Sequence, residues 1–203
     1  ELERVAFGEF GIHAMSHPKG ILGWPGTYPA PAKHAFTYLF NQAEFGLGCP
    51  INVTDGGAML LSRFGDQALK DKDLHGLTQA TMTRLTQAAQ FVTEKEGGPD
   101  GGSLTTVAKR EGDHWRLYGE KWFCSNADAG IAMLLARPEG AQPGTRGVGL
   151  FLMPRKLDDG SPNHYRIVRL KDKLGTRSMA SGEIKFEGAI AYAGGPIERG
   201  FLQ

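Results

Sequence analysis

Upstream of Gln90, apolar residues recur at the three-and-four spacing of helices; beyond it the spacing shortens to that of strands. Ala32, Ala35, Phe36, Leu39, Phe40 and Ala43 share one helical face. Pro31 suits the first turn of that helix, where a missing N–H costs nothing. Gly46 and Gly48 are read as its end and Pro50 as the opening of the next segment. Residues 51–64 then carry a looser apolar pattern with Met59, Leu60 and Phe64 inward, and the charged stretch 66–73 separates it from a third helix near 77–89. Residues 1–16 are weakly helical, with Phe7, Phe10 and His13 on one face, and the Gly/Pro-rich stretch 17–31 is a loop. The aromatic residues of this half are expected in its core.

From Gln90 onward, residues 91–93, 104–109 and 115–118 read as short strands, with Gly112-Asp113 as a hairpin connection. Residues 131–137 and 147–153 are apolar enough to be buried strands. Glu183-Ile184-Lys185-Phe186-Glu187 alternates cleanly, which predicts one wet face. Residues 139–146 form a Pro/Gly loop and 156–164 a polar excursion. The pattern predicts an α+β chain, with helices over 1–88 followed by a β-barrel or sandwich over 89–203.

Composition narrows the possibilities only a little. With 203 residues and 40% hydrophobic content the chain can bury a core of its own. A net charge of +1, without asymmetry between the two halves, gives no sign of a nucleic-acid arm. The two cysteines, Cys49 and Cys124, lack ligand-like spacing, so a reducing compartment is expected rather than a disulfide framework. Neither a signal peptide nor a membrane-spanning run is visible, and the expected location is the cytoplasm. His13 and His17 have metal-compatible i,i+4 spacing, but no carboxylate or cysteine neighbour completes a site, so they read as a surface pair. The chain opens on Glu1, as if cut from inside a longer protein.

Candidate chemistry gathers in two stretches. Phe91-Val-Thr-Glu-Lys-Glu-Gly-Gly-Pro-Asp-Gly-Gly-Ser103 passes from a β-prone run into a glycine-rich loop. There backbone amides can approach a ligand closely. Gly119-Glu-Lys-Trp-Phe-Cys-Ser-Asn126 places two aromatics and a hydroxyl on another strand. A flat, polar-edged ligand needs such a set. From the residues alone, an ordinary connection between strands is the favoured reading of the loop, and Phe123 as ordinary core and Ser125 as the close of a strand are the alternatives to ligand contact. The basic stretch 155–177 carries seven Lys and Arg against three Asp, and a solvated face or subunit contact is favoured over a nucleic-acid surface.

The two stretches together resemble the acyl-CoA dehydrogenase family. Thr93-Glu94, Gly97-Gly98, Asp100 and Ser103 match its first signature. Gly119-x-Lys121 with Phe123-Cys124-Ser125-Asn126 is similar to its second flavin-contacting strand. Gly147-Val-Gly-Leu-Phe-Leu-Met-Pro154, Leu170-Lys-Asp-Lys-Leu-Gly-Thr-Arg-Ser178 and residues 183–187 continue the match in order. The wording is closest to the adaptive-response, alkylation-inducible branch. The resemblance implies a partial N-terminal helical domain and an antiparallel β middle domain that binds FAD. It also implies an acyl-CoA substrate, an electron-accepting flavoprotein or other acceptor, and a homo-oligomer, a tetramer at full length. It assigns Gln90, Phe91, Val92 and Cys124 to the border of the flavin ring through their backbone, and Thr93 to its pyrimidine side. Phe123 falls to the packed aromatic, Ser125 to the hydroxyl near N5, and Gly98 and Pro99 to the loop at the diphosphate.

Two positions depart from the family pattern. Pro99 stands where a hydroxyl residue is usual, and proline offers neither hydroxyl nor N–H. Phe91 replaces a small residue. The family's carboxylate base comes from a C-terminal helical bundle, and no carboxylate here matches it. The chain is thus expected to be a fragment that supplies half of an active site. Two other expectations stand beside dehydrogenation. One is a flavin-holding stress protein that binds DNA through the C-terminal domain, and the other a degenerate β module that has lost flavin.

Overall fold

A computed structural model describes residues 1–97 and 100–202 of the chain. Residues 1–15 form irregular helical turns, Arg4–Glu9 and Ile12–Ala14. Helix α1 (Ala30–Ala43) has Pro31 in its first turn, as its fixed φ favours. Helix α2 (Phe45–Phe64) starts at once, and Glu44 caps it by accepting from the Gly46 and Leu47 amides.

The boundary expected at Gly46, Gly48 and Pro50 is therefore misplaced, because all three lie inside α2. These glycines serve close packing rather than termination. A Cβ on Gly46 would stand 2.0 Å from Ser178 Oγ, and one on Gly48 would stand 2.1 Å from Asn41 Oδ1. The inward face of α2 also differs from the expectation. Ile51, Thr54, Gly57, Ala58 and Leu61 are buried, whereas Met59 and Phe64 are exposed. Tyr38, Leu39 and Phe45 are exposed too, so the aromatics of this half are core only in part.

The third helix occupies residues 67–77, where a charged separator was expected, and 78–87 is turn and irregular chain. Asp66 caps this helix by accepting from the Leu69 amide at 2.8 Å, and Leu69 and Leu77 bury its inner face. Downstream, Thr78, Thr81, Thr83 and Thr86 are poor helix formers.

The β half closes on itself. Strands β2 (Val107–Glu111) and β3 (His114–Ser125) form the expected hairpin, with Gly112 at φ 65° in the turn. Strand β4 (Ile131–Pro138) pairs antiparallel with β5 (Gly149–Pro154). β7 (Ser181–Ala193) pairs with β3 and, at its end, with β5. β2 meets the end of β4 and completes the circuit. Strand β1 (Ala88–Phe91) extends β4 in parallel, and β6 (Tyr165–Leu170) covers the first half of β7. Among the described residues the pairings are antiparallel except β1 with β4 and β2 with β4. The barrel fold expected from the strand pattern is present. Strand β6 was not read from the sequence; it pairs edge to edge with β7. On the face expected to be wet Glu187 is exposed and Lys185 half-buried, whereas Glu183 is buried and ion-paired with Lys95, Arg169 and Lys171.

Two cores follow. One fills the barrel, with Phe91, Leu117, Cys124, Phe151 and Phe186. The other joins Ala58, Leu61, Leu69 and Leu77 of the helices to Ile131, Met133 and Leu152 of the outer sheet face. Helix α2 and the third helix therefore bury their apolar side against the barrel, while α1 packs on α2.

Candidate functional site

The two stretches singled out in the sequence lie side by side. The Trp122 amide donates to Thr93 O at 2.8 Å, and Lys121 Nζ donates to Val92 O at 3.3 Å. At the other end Asn126 Nδ2 donates to Ala88 O at 3.0 Å and to Gln87 Oε1 at 3.1 Å. Between these ties lie Gln90 and Phe91 on one side and Phe123, Cys124 and Ser125 on the other.

Local backbone geometry sets the direction of each side chain. The β3–β7 ladder shifts register between Lys121 and Cys124, and Phe123 within that bulge has φ 59°. Bulges of this kind re-aim side chains next to sites. A left-handed backbone is costly for a bulky residue. Here it turns the Phe123 ring outward, 56% exposed, while Cys124 remains fully buried. Ser125 is half-buried, opposite Ser181 in register.

The other expected residues divide by role. Gln90 is exposed, and Val92 and Thr93 are half-buried beside the bulge. The Phe91 side chain fills the barrel core, so only its backbone borders the seam. That accounts for a large residue where the family pattern has a small one. Burial pushes the Cys124 thiol up to about 12, so its sulfur takes no part in chemistry near neutral pH. Gly98 and Pro99 lie outside the described residues. After them Asp100 caps the turn Gly101–Ser103, accepting from the Gly102 amide and the Ser103 hydroxyl.

A buried ion pair holds the seam from behind. Lys121 Nζ lies 2.6 Å from Glu94 Oε1, with the two side chains 0% and 4% exposed. Thr105 and Thr106 each give Glu94 an amide and a hydroxyl. Burial works against the Glu94 charge, but Lys121 and these four donors outweigh it and hold the carboxyl below its ordinary range. Burial likewise depresses the Lys121 ammonium, and Glu94 offsets part of that. Glu94 was recognised only as a signature residue. The one sequence signal for the pair was Lys121 within a strand, four residues after the buried Leu117.

The basic stretch is partly neutralised. Arg169, Lys95 and Lys171 converge on the buried Glu183 at 2.7, 3.4 and 3.5 Å. Lys171 Nζ also sits 2.9 Å from the Trp122 ring centroid and 4.2 Å from that of Phe123. Arg166 pairs with Glu187, and Arg177 with Asp172. This is a structured, ion-paired face beside the Phe123 bulge. An open groove of about 690 Å³ runs along it, lined by Trp122, Phe123, Lys171 and Leu174 among others.

The histidine pair is not a surface pair. His13 is buried with Nε2 2.9 Å from Gln79 O, and His17 Nε2 lies 2.9 Å from Asp55 Oδ1. Among the described residues no group of three or more His, Cys, Asp or Glu is placed to hold a metal, and no helix is long and apolar enough to cross a membrane.

Known proteins are similar to this chain in sequence and fold. Residues 89–189 match the acyl-CoA dehydrogenase middle domain. The chain is 35% identical over 172 residues to acyl-CoA dehydrogenase family member 11 of Caenorhabditis elegans, covering 80% of this chain and 28% of that protein. It is 36% identical over 170 residues to the putative acyl-CoA dehydrogenase AidB of Escherichia coli K12, covering 79% of this chain and 30% of that protein. The structure of C. elegans ACDH-11 in complex with C11-CoA superposes with a TM-score of 0.86 at 30% identity, covering 99% of this chain and 35% of that one. The apo form of Bd2924 gives 0.85 at 34% identity, covering 99% and 40%. The chain thus spans about a third of the length of these relatives.

Proposed function

Because the chain belongs to the acyl-CoA dehydrogenase family, we propose that it forms the flavin-bearing part of an enzyme that oxidises an acyl-CoA thioester at its Cα–Cβ bond. The observation that carries the reading is the Phe123 bulge. An aromatic ring is turned out of the barrel by a left-handed backbone, with the Ser125 hydroxyl two residues away and β1 tied alongside. The strained backbone leaves the ring on the open side of the barrel, flanked by the Trp122 ring and the Lys171 ammonium, and strain of this kind gathers at ligand sites. FAD fits this seam, since it offers one flat ring to stack and polar edges to satisfy. When bound, FAD supplies the hydride acceptor.

The chain's own residues have separable tasks. Phe123 presents a packing face, and Ser125 offers a hydroxyl to the polar edge. The backbone of residues 90–93 and of Cys124 borders the ring, with Thr93 on its pyrimidine side. Glu94 and Lys121 keep that backbone in place. Gly98 and Pro99 belong to the loop assigned to the diphosphate. A division into residues 1–88 and 89–203 remains our proposal for the domains, with an apolar seam shared between them. At the length of its relatives, the protein would add the catalytic base, pass electrons to a separate acceptor and assemble as a homo-oligomer.

The test is the visible spectrum of the purified chain after FAD is added and excess removed. Retained flavin absorbance is expected, and Phe123→Ala with Ser125→Ala should weaken retention by about tenfold or more, or about 1.4 kcal/mol. If neither the natural chain nor Pro99→Ser retains flavin, the reading fails. Equal retention by the double variant would move the site away from Phe123.

A further inference from the structure

In the Leu170–Ser178 stretch, singled out in the sequence, Lys171 lies against the Trp122 and Phe123 rings. A second side chain of the stretch reaches the seam from behind. Lys173 Nζ lies 3.1 Å from Ser181 Oγ and 2.5 Å from Met179 O. Ser181 is 3% exposed and stands directly opposite Ser125 across the β3–β7 ladder. Their hydroxyl oxygens are 3.4 Å apart, within reach of a weak hydrogen bond. The loop carrying Lys173 is itself anchored, since Arg177 Nε donates to Lys173 O at 2.6 Å.

Donor and acceptor rules give this chain a direction. An ammonium can only donate, so the Ser181 oxygen accepts from Lys173. The Ser181 hydrogen then has two directions, the weak acceptor Met179 Sδ at 3.8 Å and Ser125 Oγ. Oxygen is the stronger acceptor. With Ser181 donating to it, Ser125 has its own hydrogen left to point out of the strand, on the side where Phe123 is exposed. The positive charge two groups back polarises both hydroxyls in that sense.

We propose that Lys173 and Ser181 are positioning residues, which fix the Ser125 hydroxyl as a donor toward the seam and bias the site toward the electron-rich, reduced form of its ligand. This rests on the flavin reading above. It adds a chemical task for the basic loop that neither its charge count nor its exposure suggests.

The experiment is the reduction potential of FAD bound to the chain, measured by dye equilibration for the natural protein and for Lys173→Met, Lys173→Arg, Ser181→Ala and the Lys173→Met, Ser181→Ala pair. Each of Lys173→Met and Ser181→Ala should weaken the preference for reduced over oxidised flavin by roughly tenfold. That is a potential about 30 mV more negative for a two-electron couple. The pair should do little more than either change alone, because both interrupt one relay. Lys173→Arg keeps the charge and should retain most of the natural value. Ser181→Ala leaves the Lys173–Met179 bond in place, so it carries the test if Lys173→Met unfolds the loop. FAD bound with unchanged potential in Ser181→Ala overturns the proposal while the flavin reading stands. Failure of both the natural chain and Pro99→Ser to bind FAD overturns both.

Discussion

Lys121→Met is expected to cost the chain about 3–5 kcal/mol of stability, the usual cost of stranding one member of a buried ion pair. The pair is almost wholly out of water, and Glu94 accepts four further hydrogen bonds from Thr105 and Thr106. Those donors keep Glu94 oriented in the variant, but none of them brings a positive charge. The pH dependence makes the test specific. In the natural chain the Glu94 carboxyl is held below its ordinary value, so it adds stability above that value and loses it as pH falls. Without Lys121, burial dominates and the carboxyl moves upward, so protonation on acidification relieves the strain. Urea denaturation should therefore show a large gap between the two proteins at pH 7 that narrows toward pH 4. A gap below about 1 kcal/mol at pH 7 would mean the pair behaves like an exposed one.

The second large effect is acid sensitivity centred on His13. Its ring is fully buried against Phe7, with centroids 4.9 Å apart. Nε2 donates to Gln79 O, which leaves Nδ1 buried without a hydrogen-bond partner. A second proton would have to sit on Nδ1, inside an apolar core. Burial accordingly pulls His13 down to about 4, while the Gln79 carbonyl and Asp55 oppose that shift and His17 adds to it. The unfolded chain takes up this proton near pH 6.5, and the folded chain only near 4. Stability is therefore complete above pH 6.5 and declines as pH falls toward 4, by up to about 3 kcal/mol. His13→Gln keeps a donor for Gln79 and cannot charge, so the slope across this window should flatten even though the variant starts less stable. Equal slopes in the two proteins would sink the assignment.

Most of the β half was legible in the sequence because a strand writes its burial directly into alternation or into a short apolar run. Residues 131–137, 147–153 and the Gly112 hairpin needed no tertiary information. The helical half was harder, since Gly46, Gly48 and Pro50 carry the usual signs of a helix end and yet lie within α2. Only the approach of Ser178 and Asn41 explains those glycines. In the same way, the third helix followed its Asp66 cap rather than the apolar residues after Leu77.

The sequence by itself determined the family, the order of helices before barrel, and the two stretches that make the seam, because these depend on local pattern and on motifs in register. It also singled out Phe123 and Ser125. Tertiary structure alone decided how those residues are presented. It turned the Phe123 ring outward at a register shift, sent the Phe91 ring into the core, and buried Glu94 with Lys121 twenty-seven positions away. It also set Lys173 behind Ser181. The reason is physical: a bulge, a buried charge pair and a cross-strand hydroxyl contact exist only once distant strands lie in register, and no local spacing encodes that register.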